Sequence, residues 1–235
     1  GTLNFNLAAR YGIRGASCGF VSACASSSHA LGSAYDEIAL GRQDRMIVVG
    51  AEECAAESIL PLDAMRALST HADPDMACRP FDQARDGFVV SGGAVALVLE
   101  RASLAKRAPL ARLLGWGQAA DGYHVASPHP EGIGIVTAMK RALQFAKVDE
   151  AAIDYVNAHA TSTPAGDRAE ALALRSVFGS ASPAVVSTKG LTGHGLSLSG
   201  VLEAALTVLS LMGGFLPGNR NLKSPDEACE GLCLP

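Results

Sequence analysis

One cysteine and two histidines occupy comparable places in three separate stretches of this chain, each where an apolar run gives way to a helical pattern. Cys24 follows the small apolar run 20–23 and precedes Leu31, Ala34, Tyr35 and Ile38. Their spacing of i, i+3, i+4 and i+7 marks one helical face, which ends at Gly41. A cysteine near a helix N-terminus meets unpaired N–H groups and the positive end of the macrodipole, both of which favour the nucleophilic thiolate. Ser26, Ser27 and Ser28 add hydroxyls suited to capping that helix. The competing reading of Cys24 is a small buried thiol, since free cysteine is among the most buried residue types.

The other two stretches repeat one scheme. The run 153–157 leads through His159 and a polar turn into a helix expected from about Gly166 to Phe178 and closed by Gly179. The run 184–187 leads through Lys189 and His194 into a long helix closed by Gly213 and Gly214. Alternating strand and helix implies an α/β chain with a mostly parallel sheet, and ligands of such sheets bind beyond the carboxyl ends of the strands. Cys24, His159 and His194 are therefore expected to converge. A thiolate with two imidazoles beside it is a nucleophile with acid/base or oxyanion-stabilising partners, the equipment of acyl transfer.

The remaining elements frame these three. The spacing predicts a helix over 2–11, a turn into a strand over 14–23, and a buried parallel strand over 45–51, apolar on both faces. Residues 52–86, with Pro61, Pro74 and Pro80, read as a long irregular excursion. Strands are expected at 95–100 and at 110–120, around Trp116, and a helix over 134–147 with Ile135, Ala138, Met139, Ala142 and Leu143 on one stripe. Gly92 and Gly93 lack the spacing of a phosphate-binding loop and read as close-packing glycines. His124 and His129, beside Pro128 and Pro130, read as loop residues rather than metal ligands, and His29 and His71 as structural. No metal site is expected.

Composition excludes several classes. The net charge is −4 and only 18% of residues are charged, which gives no basic footprint for nucleic acid. Six cysteines, at 18, 24, 54, 78, 229 and 233, form neither CxxC pairs nor a disulfide framework, which points to a reducing, cytoplasmic compartment. The apolar segment 196–215 is interrupted by Ser197, Ser199, Gly200, Glu203 and Ser210, and reads as a buried core helix rather than a membrane span.

The segments ACASSSHALG, RPFDQARDGFVVSGG, VNAHATSTPAGD, STKGLTGH and SGVLEA, in that order, resemble the signatures of the elongating β-ketoacyl-acyl carrier protein synthases, the ketosynthases of the thiolase-like fold. Thiolases, with a second cysteine, and chain-initiating synthases, usually with Asn in place of His194, resemble it less. The resemblance implies a layered α-β-α-β-α architecture, incomplete in this chain. Residues 1–102 would be the remainder of an N-terminal half carrying the nucleophile. Residues 103–235 would be a C-terminal half carrying both histidines, its last strands missing. It implies that Cys24 takes the acyl chain as a thioester and that His159 and His194 act on a malonyl donor, whose decarboxylation builds charge on the thioester oxygen.

Lys189 and Glu203 would then form a pair that fixes the imidazoles. Asp167 and Glu170 are either further members of that group or acids placed at a helix start. Thr161 and Thr163 either bind the phosphopantetheine arm or serve the turn before Pro164. The implied partners are acyl carrier protein and a second copy of the chain, with the run 16–21 near the two-fold axis. No permanently bound cofactor, nucleic acid or membrane insertion is expected. Two alternatives share these motifs: a polyketide ketosynthase, and a silent chain-length or scaffold subunit, against which the presence of Cys24 speaks. SLSG at 197–200 departs from a more Ala- and Gly-rich family pattern, and Gly190 stands where a larger small residue is common.

Overall fold

A computed structural model describes residues 3–179 and 181–235. In chain order the elements are α1 (Leu3–Tyr11), α2 (Ser26–Ala39), β1 (Arg45–Glu52), α3 (Ala56–Ala64), β2 (Gly93–Glu100), α4 (Ile133–Ala146), β3 (Tyr155–Asn157), α5 (Pro164–Phe178), β4 (Ala184–Val186), α6 (Lys189–Thr192) and α7 (Ser199–Gly213), with short 3₁₀ turns between. The chain is α/β, as its alternating pattern requires. The helix expected over 2–11 is α1, with Thr2 outside the described residues.

Two small sheets carry the site. β1 and β2 pair antiparallel from Arg45↔Glu100 to Glu52↔Gly93. One face of this ribbon packs under α2 and α7, where Ala34, Val48, Leu198 and Val201 are buried with Leu31, Met46, Val95 and Leu97 around them. Gly50 permits that approach, because a Cβ there would lie 2.4 Å from Val201 Cγ1 and 3.2 Å from Ser27 Cβ. β3 and β4 pair in parallel, Tyr155↔Ala184 to Asn157↔Val186. Their core joins Ala158, Ala160, Ala171, Leu174, Phe178 and Val185 to Phe81, Ala228 and Cys229. Parallel pairing puts the carboxyl ends of β3 and β4 at the same edge, so the segments carrying His159 and Lys189 leave it side by side. The two sheets are stitched through His194, whose N–H donates to the Val89 carbonyl at 2.8 Å and whose carbonyl accepts from Ser91 N–H at 3.1 Å.

Several expectations are corrected. The run 45–51 is not a buried parallel strand but half of an antiparallel ribbon, with Ile47 and Val98 exposed on its outer face. Residues 20–23 and 110–120 form no strand; among the described residues no strand hydrogen-bonds along either of them, and a run of strand-forming residues becomes a strand only in a ladder. The segment 110–120 instead threads between α2 and α4. Trp116 lies against Gly32 and donates to Asp36 at 3.1 Å. The excursion 52–86 contains α3, a helix that accommodates Pro61. The helix expected at 196–215 is α7, preceded by a 3₁₀ turn, but it is not buried throughout. Val201 and Ser210 are buried, whereas Leu209, Leu211 and Met212 are exposed. By length and hydropathy alone the helical stretch Leu196–Gly213 is apolar enough to cross a membrane.

Candidate active site

The turn before α2 aims Cys24. Ala23 takes a left-handed φ of 45°, unusual for a residue with a Cβ. Ser26 seals that conformation, its Oγ donating to the Ala23 carbonyl at 2.7 Å and accepting from Ser22 N–H at 2.8 Å. Ser27 is spent elsewhere, its Oγ accepting from Val201 N–H at 3.1 Å, and α2 has no side-chain cap at its start. Cys24 Sγ then lies 3.0 Å from His194 Nε2. Burial pushes the Cys24 thiol up from its ordinary value, with Lys189 pulling the other way. The thiolate expected from helix-end electrostatics is thus not the resting form. Cys24 rests as a thiol, and the imidazole beside it is the base within reach.

His194 is 1% exposed. Its ring meets Phe88 edge-on at a centroid distance of 5.0 Å and His159 at 5.2 Å, and its Nδ1 lies 3.0 Å from Ser199 Oγ. Burial, and then the charge of Lys189, lower its pKa to about 3. His159 projects from the loop after β3. Both oxygens of Glu170 hold that loop, accepting from the N–H groups of His159 at 2.8 Å and Ala160 at 2.6 Å. Desolvation, Lys189 and His194 lower the His159 pKa well below the ordinary imidazole value. An exposed edge of His159 lets water soften the first of these, so the Lys189 ammonium, 3.4 Å from Nδ1, is the cause that persists.

Lys189 is 1% exposed and paired with Glu203, whose carboxyl burial pushes up to about 7 against the pull of Lys189. An ammonium only donates, so it makes His159 Nδ1 an acceptor and leaves the ring proton on Nε2. Ser187, 2.7 Å from the Ala160 carbonyl, ties the two loops together.

The structure therefore gathers Cys24, His159, His194, Lys189 and Glu203. Asp167 and Glu170 lie beneath them and touch backbone rather than imidazoles. Asp167 accepts from Phe81 N–H at 2.8 Å and Ser162 N–H at 3.0 Å. Thr161 and Thr163 face each other, Oγ1 to Oγ1, at 3.0 Å. His124 and His129 accept backbone N–H groups within their own loop. Three residues went unnoticed in the sequence. Arg85 is buried; it donates to the Thr163 and Pro164 carbonyls at 3.1 and 2.7 Å and pairs with Asp226. Phe88 and Ser199 contact the His194 ring. All three lie inside stretches that stood out, Arg85 and Phe88 in RPFDQARDGFVVSGG and Ser199 in SLSG, but nothing in the pattern singled them out.

The sulfur and one nitrogen of each imidazole lie within 4.8 Å of one another, a donor set that suits zinc. The 3.0 Å contact is nevertheless a hydrogen-bond distance, and the Lys189 charge opposes a dication. Thiol, two neutral imidazoles and a buried ammonium can move protons and stabilise a developing oxyanion.

Residues 5–105 match the family described as "Beta-ketoacyl synthase, N-terminal domain", and residues 110–223 match "Beta-ketoacyl synthase, C-terminal domain". The 3-oxoacyl-[acyl-carrier-protein] synthase 1 of Haemophilus influenzae is 43% identical over 96% of this chain and 55% of its own length; that of Escherichia coli K12 is 41% identical over 96% and 56%. A β-ketoacyl synthase structure from Burkholderia phymatum superposes with a TM-score of 0.93 at 39% identity, covering 97% of this chain and 56% of that one. A type II PKS acyl-carrier protein in complex with its ketosynthase gives 0.94 at 29% identity, over 98% and 58%. The chain spans a little over half the length of the curated relatives it matches.

Proposed function

This chain belongs to the β-ketoacyl synthase family, and from that premise we propose that it carries the reaction centre of a 3-oxoacyl-[acyl-carrier-protein] synthase, an acyltransferase of fatty acid elongation. The observation that carries this reading is the 3.0 Å contact between Cys24 Sγ and His194 Nε2, with the His159 ring 5.2 Å from that of His194.

In the first half-reaction Cys24 sulfur attacks the carbonyl of an acyl thioester. Its proton passes to His194 Nε2 and on to the departing thiol, leaving acyl-Cys24. In the second, malonyl thioester loses carbon dioxide, and the charge that develops on its thioester oxygen is met by N–H donors of His159 and His194. The enolate carbon bonds to the acyl carbonyl and the Cys24 sulfur leaves, taking up one proton from solvent. Both imidazoles are neutral at physiological pH, so each has a single N–H to place; for His159, Lys189 and Glu203 place it.

The rest of the reading follows from this chemistry. Thr161 and Thr163 hydroxyls suit the amides of a phosphopantetheine arm, which acyl carrier protein brings as part of the substrate, so that no permanent cofactor is needed. The N-terminal half, 1–102, supplies the nucleophile and the C-terminal half, 103–235, the imidazoles; the two family matches, which end at 105 and begin at 110, support that division. A homodimer is part of the proposal, supported by exposed apolar residues such as Val21. Six free thiols support a reducing, cytoplasmic setting. Fatty acid rather than polyketide synthesis is favoured by the 40–43% identity to 3-oxoacyl-[acyl-carrier-protein] synthases, against 29% to the type II PKS ketosynthase.

Mass spectrometry of the intact protein after incubation with acyl-acyl carrier protein tests the reading. The acyl mass is expected on Cys24 alone among the six cysteines, and malonyl-acyl carrier protein should then discharge it as a 3-oxoacyl product. Acylation elsewhere, or none, refutes the assignment.

A further inference from the structure

The two imidazoles have chemically different partners. Lys189 beside His159 Nδ1 can only donate, so it fixes one tautomer. Ser199 beside His194 Nδ1 is a hydroxyl, which both donates and accepts. Among the described residues, the Ser199 hydroxyl bonds to Nδ1 alone.

The position is rigid. Ser199 opens α7, is 2% exposed, and sits between Leu198 and Val201, both buried. The first turn of α7 is clamped to α2 by the Ser27–Val201 hydrogen bond and by the approach of Gly200 to Ser28, where a Cβ would lie 2.0 Å from Ser28 Oγ. With Phe88 and His159 against the His194 ring and Cys24 at Nε2, Nδ1 has Ser199 as its partner on the remaining side.

The two halves of the proposed condensation ask opposite things of His194. For Cys24 to give up its proton across the 3.0 Å contact, Nε2 must be an acceptor, which requires the ring proton on Nδ1. Once Cys24 is acylated the sulfur carries no proton, and stabilising the enolate oxygen needs N–H at Nε2.

We propose that Ser199 is the positioning residue of His194, its hydroxyl accepting from Nδ1–H before Cys24 is acylated and donating to Nδ1 afterwards, so that one ring serves as base and then as donor. This rests on the condensation reading above. The sulfur-to-imidazole pairing that it uses is separable from it. His159, tied to an ammonium, remains a fixed donor throughout.

The test is ¹⁵N NMR of histidine-labelled intact protein before and after Cys24 is alkylated with iodoacetamide, which removes the S–H proton whether or not the protein condenses acyl chains. The His194 proton is expected to move from Nδ1 to Nε2 on alkylation. The same tautomer in both states overturns the proposal. In parallel, Ser199→Ala should lower kcat about tenfold, the loss expected for one buried hydrogen bond, in both acyl transfer to Cys24 and malonyl decarboxylation. KM should stay within about twofold. Ser199→Thr, which keeps a hydroxyl, should recover most of the rate. Ser199→Ala at wild-type rate in both half-reactions also overturns it. Should the tautomer move while the wild-type protein forms no 3-oxoacyl product, the condensation reading fails and the role of Ser199 stands.

Discussion

Replacing Glu203 by Gln isolates the buried cation on which the His159 tautomer depends. Lys189 is 1% exposed and the Glu203 side chain 15%, so the ammonium has little water to fall back on when its carboxylate is removed. Breaking one side of such a pair costs about 3–5 kcal/mol, because an uncompensated charge is left in the interior. For a chain of this size each kcal/mol moves the melting temperature by roughly 2–4 °C, so Glu203→Gln should melt roughly 6–20 °C below wild type. The comparison belongs at pH 8, where Glu203, with its carboxyl held near 7, is mostly ionised in the native protein. The double replacement Lys189→Met with Glu203→Leu removes both charges, and well-packed apolar substitutes for a buried pair are neutral or stabilising. It should recover the melting temperature to within about 2 °C or exceed it. Condensation should nevertheless stay depressed about a hundredfold or more, the loss expected of one preorganised oxyanion donor, because nothing then fixes the proton on His159 Nε2. Calorimetry and a 3-oxoacyl product assay on the same preparations read the two effects apart. A Glu203→Gln protein that melts with wild type, or an active double variant, refutes this account of the pair.

Asp167→Asn should destabilise by about 2–3 kcal/mol, since an amide accepts from one of Phe81 N–H and Ser162 N–H while presenting a donor to the other; urea midpoints measure it. His194 titrates at about 3 in the folded protein against an ordinary 6.5. The depressed value means its contribution to stability is complete above pH 6.5 and is lost as pH falls towards 3, on the order of 5 kcal/mol across that window. His194→Asn should therefore show a shallower acid loss of stability than wild type over pH 6.5 to 4, and parallel curves would contradict the buried neutral ring. Gly190→Ala should cost about 1–3 kcal/mol by thermal melting, because a Cβ there would lie 2.5 Å from the Arg220 carbonyl oxygen and must push the C-terminal segment away.

What the sequence made legible was what local pattern encodes. α2, α4, α5 and α7 announce themselves through an apolar stripe and a closing glycine or polar break. The placement of His159 and Lys189 at one edge follows from two parallel strands of like design. What it hid is non-local. A run of β-branched residues does not say which strand it pairs with, so β1 was expected to be parallel and is antiparallel. Residues 110–120 have strand composition but lie between α2 and α4 with no ladder alongside. α3 was obscured by Pro61. The state of Cys24 also depends on tertiary surroundings: the helix start argues for a thiolate, while burial, which no local pattern encodes, wins. Ser199 was visible only as a departure from a familiar pattern, since its contact with Nδ1 depends on how the imidazole is turned.

Strain and polarity in this site have a common cause. Ala23, Phe81, Ser162 and Leu196 all take positive φ, and non-glycine residues so placed cost on the order of 1–3 kcal/mol each. Three of them are held by side chains that touch no reacting group. Ser26 bonds the Ala23 carbonyl, and the carboxylate of Asp167 takes the N–H groups of both Phe81 and Ser162. Arg85 in turn neutralises Asp167 from 3.5 Å while gripping the Thr163 and Pro164 carbonyls. Glu170 does the same for the backbone under His159. Asp167 and Glu170 are therefore the means by which irregular loops are kept in conformations they would otherwise leave. In the proposed chemistry charge enters through one residue, Lys189, whose ammonium lies 3.4 Å from His159 Nδ1 and fixes the proton on Nε2. The thiol and the two imidazoles can stay uncharged at rest because acids and cation sit one layer below them and act on their loops, tautomers and orientation.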